Sequence, residues 1–121
     1  MTDANTINEP LEEHHSARPS ILELEKLVTQ SRFGEAQDLC GQLLKANPKD
    51  HTALFWGGVI AIEYQRFADA AQAFERAIKI DPSIPEYHAN LGRALIGLKK
   101  IEEAKSAADM AEALEPEDAR T

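Results

Sequence analysis

Three prolines set the frame of this chain. Pro48, Pro82 and Pro116 each follow an acidic or amide residue (Asn47, Asp81, Glu115), and they stand 34 residues apart both times (82 − 48 and 116 − 82). The same offset links Ala36, Ala70 and Ala104, and also Phe33, Phe67 and Ile101. It links Arg32, Arg66 and Lys100, and Glu35, Asp69 and Glu103. Gly58 pairs with Gly92 in this way, and Ala77 with Ala111. A fixed period of this length marks a repeat architecture, in which one supersecondary unit cannot bury its apolar face alone and stacks on its neighbours.

Each column has a physical role. Proline cannot continue a helix and turns the residue before it away from helical angles, so it closes the second helix of each unit. The basic column falls near the end of the first helix and the acidic column opens the second, and both signs suit the helix dipoles. The small Ala36, Ala70 and Ala104 let paired helices approach, and Phe33, Phe67 and Ile101 are expected to fill the corner where the two helices meet. Ser20-x-x-Glu23 after Pro19 reads as a capping box and predicts a first helix starting near Ile21. The pattern predicts helices near 21–31, 34–46, 51–64, 67–80, 85–98 and 101–114, and no strand.

Composition agrees with an all-α chain. Ala, Leu, Ile and Glu dominate and aromatics are 6% of the 121 residues, a mix that loses little entropy in helices. The net charge of −8 repels nucleic acid and anionic membranes and favours basic partners. The one cysteine, Cys40, permits neither an internal disulfide nor a thiolate zinc site. The polar N-terminus does not resemble a secretory signal. The longest apolar run, Ala53 to Ile62, is about half the roughly 20 residues of a membrane span. The expectation is a cytoplasmic protein with no membrane insertion.

The 34-residue period, the glycine and alanine columns, the aromatic corner and the closing prolines together resemble the tetratricopeptide repeat (TPR). The resemblance implies a right-handed helical solenoid of three helix-turn-helix units: 17–50, 51–84 and 85–118. Residues 1–16, rich in Asp and Glu, are expected to be a disordered tail, with docking of Ile7 and Leu11 as the alternative, and 119–121 form a polar tail. Unit 2 matches the family pattern most closely, through Gly58, Tyr64, Ala70, Phe74, Ala77 and Pro82. Unit 1 is degenerate, with Leu24 in the glycine column and Ser20 where a large apolar residue is usual. Unit 3 has His88 in that large-residue column and Ala108 in place of an aromatic.

In this family the first helix of each unit lines a concave, peptide-binding face. Carried over by column, the resemblance implicates Ile21, Leu22, Glu25 and Val28; Phe55, Trp56, Val59, Ile62 and Glu63; and Glu86, Ala89, Asn90, Arg93 and Ile96. Burying two large side chains such as Phe55 and Trp56 contributes roughly 3–6 kcal/mol, although either could instead pack between helices. Asn90 and Arg93 could bond a partner, or Arg93 could pair with Glu86 in solvent. A TPR subtype clamps acidic chaperone C-termini with Lys, Asn and Arg. The corresponding columns here hold Ile21, Glu25, Trp56, Glu86 and Asn90, so that activity is not expected.

No catalytic, cofactor-binding or metal-binding pattern stands out. His14-His15 lies in the tail, His51 and His88 lack metal-ligand spacing, and Cys40 occupies a core column. The sequence therefore implies a non-enzymatic interaction module, an adaptor or chaperone that holds a hydrophobic segment of a partner polypeptide. Pro85-Glu86-Tyr87-His88-Ala89 and Ala104-x-Ser106-Ala107 resemble the small TPR chaperones of type III secretion. Two alternatives are the N-terminal recruitment domain of a larger transferase and an oligomerising scaffold. Nothing in the chain after Leu114 covers the Ala-rich last helix, which implies a homo- or hetero-oligomer through that helix or further residues of a longer protein.

Overall fold

The computed structural model describes residues 17–115, with six helices and, among the described residues, no strand. The helices are α1 (Ala17–Thr29), α2 (Phe33–Ala46), α3 (His51–Glu63), α4 (Phe67–Ile80), α5 (Pro85–Gly97) and α6 (Ile101–Leu114). Consecutive helices pack as antiparallel neighbours, and α1 also packs on α3 and α3 on α5. The second helices of successive pairs do not pack on one another. First helices that touch and second helices that splay bend the stack toward the first helices, so α1, α3 and α5 form its inner face. The acidic tail and Pro116 lie outside the described residues.

The first helix starts at Ala17, not near Ile21. Ser20 and Glu23 therefore stand inside it and do not cap it. Pro19 falls in the first turn, where a missing N–H removes no helical bond. At the other end of each first helix the chain turns through a left-handed residue: Ser31, Gln65 and Lys99 have φ of 61°, 61° and 63°. The Arg32, Arg66 and Lys100 amides then donate to Leu27, Ala61 and Leu95, five residues back. The Ser31, Gln65 and Lys99 amides donate to Val28, Ile62 and Ile96. This is a Schellman closure repeated three times, made each time without the glycine that usually occupies it. The basic column consequently sits at the N-cap of the second helix, with no side-chain cap bond.

Between pairs, Asn47 and Asp81 make equivalent turns. The Lys49 and Ser83 amides donate to the side-chain oxygens of Asn47 and Asp81, each at 3.1 Å. The Ser83 hydroxyl also donates to Asp81 and, as the larger effect, lowers the pKa of that carboxyl. Asp50 caps α3 by accepting from the Ala53 amide.

The cores of the pairs are filled in different ways. Gly58 faces Phe74, whose ring would stand 2.5 Å from a Cβ at that glycine. In the first pair the column of Gly58 holds Leu24 and the column of Phe74 holds Cys40; Leu24 and Phe74 are the largest fully buried side chains of the protein. In the third pair both columns are small, Gly92 and Ala108, and a Cβ on Gly92 would lie 3.4 Å from the Ala104 carbonyl. There the backbones themselves close the gap. Ala36, Ala70 and Ala104 are buried, as the close approach of paired helices requires.

The corner column behaves differently from expectation. Phe33 meets Tyr64 edge-on with centroids 6.4 Å apart, and the Phe67 ring lies over Gly97, where a Cβ would be 2.4 Å away. Both rings pack forward onto the next first helix, and Phe33 also packs on the core of its own pair. Ile101, which has no following helix in the described chain, is 57% exposed.

Candidate functional site

The row α1–α3–α5 presents a mixed apolar and acidic surface. Leu22 and Ile96 are 65% and 59% exposed, large values for such side chains in a folded chain. Ile21, Trp56, Val59 and Ile62 are half-buried between them, and Glu25, Glu63 and Glu86 reach solvent. Val28 is not part of this surface: it is buried in the core of the first pair with Leu24, Leu27, Ala36, Cys40 and Ile60. Ile62 and Ile96 stand in the same column and are half-buried and exposed, so the burial of Val28 comes from its neighbours in the first core and not from its column.

Trp56 and Phe55 are neighbours with different surroundings. Trp56 packs its partly buried ring on the first core, and Phe55 packs on the next two. The Phe55 ring stacks on Tyr87 of α5 at 5.1 Å and 22° and tilts against Phe74 at 5.8 Å. It also meets Trp56 edge-on at 5.0 Å. Tyr87 is buried, and burial raises the pKa of its phenol; its hydroxyl shares a 2.7 Å hydrogen bond with His51 Nδ1. Phe55 therefore joins successive helix pairs, and Trp56, equally half-buried, flanks it on the side of the first core.

Asn90 and Arg93 are tied together within α5. Asn90 Nδ2 donates to the Glu86 carbonyl at 2.9 Å, and Arg93 Nη1 donates to Asn90 Oδ1 at 2.8 Å. The guanidinium is thus held by Asn90 and not by the Glu86 carboxylate. Beside it a cavity of about 340 Å³ opens, lined by Ile62, Phe67, Arg93, Ile96 and Gly97. Sequence columns named Ile62, Arg93 and Ile96 but missed Phe67 and Gly97. A glycine in the last turn of a helix was the available signal, and its partner lay 30 residues away (97 − 67).

Two side chains with reactive potential, Cys40 and His88, are tied into the core. Cys40 is 5% exposed and donates its thiol to the Ala53 carbonyl at 3.2 Å. Burial, with a smaller contribution from Asp50, pushes its pKa to about 11, which leaves it a poor nucleophile near neutral pH. His88 is 8% exposed and its Nε2 donates to the Pro82 carbonyl at 3.0 Å. Among the described residues no group of three or more His, Cys, Asp or Glu side chains could hold a metal ion, and no helix is long and apolar enough to cross a membrane.

Comparison with known proteins bears on this arrangement. A search of curated proteins gave no match. Among solved structures, a mutant of the Thermobaculum terrenum O-GlcNAc transferase superposes with a TM-score of 0.82 at 22% identity, over 86% of this chain and 20% of the transferase. The first TPR domain of Spaghetti (RPAP3), bound to the HSP90 peptide SRMEEVD, gives 0.77 at 24% identity, over 83% of this chain and 79% of that one. MamA from Desulfovibrio magneticus RS-1 gives 0.75 at 20% identity, over 87% and 61%. The chain thus spans about a fifth of the transferase, and at these identities the likeness is one of fold. Two tetratricopeptide-repeat family models match the sequence, one over residues 25–85 and one over 61–120. With this coverage and six helices stacked in pairs, the chain belongs to the tetratricopeptide-repeat family.

Proposed function

We propose that this protein is a non-catalytic interaction module that holds a hydrophobic segment of a partner polypeptide along α1, α3 and α5. The observation that carries the reading is the exposed apolar run on that face. Leu22 and Ile96 stand 65% and 59% exposed at its two ends, with Trp56, Val59 and Ile62 between them and a cavity of about 340 Å³ beside Ile96. An apolar surface of this kind is worth covering, since each large side chain withdrawn from water contributes roughly 1.5–3 kcal/mol. The role is that of an adaptor or chaperone acting in the cytoplasm, and the lone buried thiol suits a reducing compartment.

Similar folds bind acidic chaperone tails, as the HSP90 peptide on Spaghetti illustrates. The residues here argue for a different ligand. Glu25, Glu63 and Glu86 are exposed on the face that such a tail would meet, and like charges at an interface disfavour association. No submicromolar binding of a Glu-Glu-Val-Asp peptide is expected.

The direct experiment compares the partners captured by the wild type with those captured by Leu22→Ser and Ile96→Ser, both exposed positions whose replacement leaves the core intact. Loss of a specific partner in the variants supports the reading; a partner retained equally by all three proteins overturns it. A second reading, the recruitment domain of a larger transferase, draws on the superposition with the O-GlcNAc transferase. It requires the native gene product to extend past Thr121, which its mass in the source cell would decide.

A further inference from the structure

A second groove lies on the opposite side of the stack. It runs between α4 and α6 across the back of α5 as a shallow, open cleft of about 330 Å³. Leu91, Leu95, Ala107 and Met110 make its apolar lining, and Met110 is 48% exposed. Glu75 from α4 and Glu103 from α6 border it, both exposed and neither ion-paired to a described residue. His88 lines the wall. Its Nε2–H is committed to the Pro82 carbonyl, so in the neutral ring Nδ1 is an acceptor, and no described donor bonds to it. Ser106 contributes a hydroxyl, which can also accept.

The repeat supplies an internal control. One period earlier, a cavity of about 270 Å³ between α2 and α4 uses Gly41, Gly57, Ala61 and Asp69 where this one uses Glu75, Leu91, Leu95 and Glu103. The earlier groove is also partly apolar, through Leu44, Ile60 and Tyr64, but its one lining carboxylate, Asp69, is balanced by Arg66. The later groove has an apolar lining, two carboxylates and no lining cation. Its chemistry is that of a receptor for a donor-rich cation on an aliphatic stem, since such side chains lay their methylenes on apolar surface and keep the charge at the edge.

We propose that the α4–α6 groove docks a lysine or arginine side chain of a partner protein, with its stem on Leu91, Leu95 and Met110 and its charged head between Glu75 and Glu103. This site is separate from the inner face and stands or falls independently of the function proposed above.

The test uses N-acetyl-lysine methylamide as the probe and the norleucine analogue, which keeps the stem and removes the charge, as the control. The readout is the methyl NMR signal of Met110, which shares its residue type only with Met1. The lysine probe is expected to give a saturable shift in the millimolar range. Glu75→Gln together with Glu103→Gln should weaken it about fivefold, the scale of two exposed charge pairs, and the norleucine probe should not saturate. Absence of a saturable shift, an equal response to both probes, or an unchanged affinity in the Glu75→Gln, Glu103→Gln variant would each overturn the proposal. Both substitutions are at exposed positions, and an unchanged urea midpoint confirms that the variant is folded.

Discussion

The first and second helix pairs solve one packing problem from opposite sides. In α1–α2 the volume comes from the first helix, where Leu24 is fully buried, and the second helix offers the small Cys40. In α3–α4 it comes from the second helix, where Phe74 is fully buried, and the first helix offers Gly58. The repeat therefore holds constant the space between the helices, not the residue at a column. Close-packed interiors require summed volume to match across facing positions. Swapping large and small between two columns keeps the sum and the fold.

Breaking either large member should have the largest effect. Phe74→Ala should lower the unfolding free energy by about 3–5 kcal/mol and Leu24→Ala by about 2–5 kcal/mol, read from urea denaturation. The spread reflects how far each site can collapse.

Next in size is a test of the swap itself. Gly58→Leu, with Phe74 in place, should cost about 1–3 kcal/mol or more by overpacking, because even a Cβ at that glycine meets the ring at 2.5 Å. Adding Phe74→Cys gives the second pair the pattern of the first. The double variant should be more stable than the sum of the singles predicts, by about 1 kcal/mol or more. Strict additivity would falsify the shared-volume account.

Cys40 gives a smaller effect that is specific to the first pair. Below pH 9.0 the thiol is neutral whether the chain is folded or not. Above it the unfolded chain ionises while the folded one keeps its proton up to about 11. Stability should fall as pH rises across that window, by about 1–2 kcal/mol once partial solvent screening is allowed for. Cys40→Ala should lack that component, so the wild type should lose more stability than the variant between pH about 8 and about 10.5. Parallel pH curves for the two proteins would contradict the assignment.

The smallest expected effect treats all three pairs alike. Ser31→Gly, Gln65→Gly and Lys99→Gly each relieve a side chain held at positive φ, with φ of 61°, 61° and 63°. Each should stabilise the fold by about 0.5–1 kcal/mol in thermal or urea unfolding. A glycine that destabilises at any of the three would mean that the side chain makes a contact worth more than the strain.

The third pair sharpens the comparison. With Gly92 and Ala108 in the two columns it has no large member, and its helices close by backbone approach. Its outer side also differs. Ala71, Phe74 and Ile78 of α4 pack on α5, whereas the same columns of α6 hold Lys105, Ala108 and Glu112. Two of those three are charged, so the last helix exposes less apolar surface to a following partner than its alanine content suggests.

The sequence by itself determined the period, the number of described helices and their boundaries to within a few residues. These follow from short-range rules: proline stops a helix, small residues mark close approaches, and acidic residues favour the first turn of a helix. It also set the acidic balance that favours basic partners. Where a side chain went was decided by residues a full repeat away. Only the tertiary structure placed Phe55 on Tyr87, carried Val28 into the core and turned Phe33 and Phe67 toward the next pair. It likewise left Ile101 exposed and brought Glu75 and Glu103 to the same groove. Periodicity states which columns are equivalent, but each contact depends on the combined volume and charge of columns from different helices, and that combination is fixed only when the helices meet.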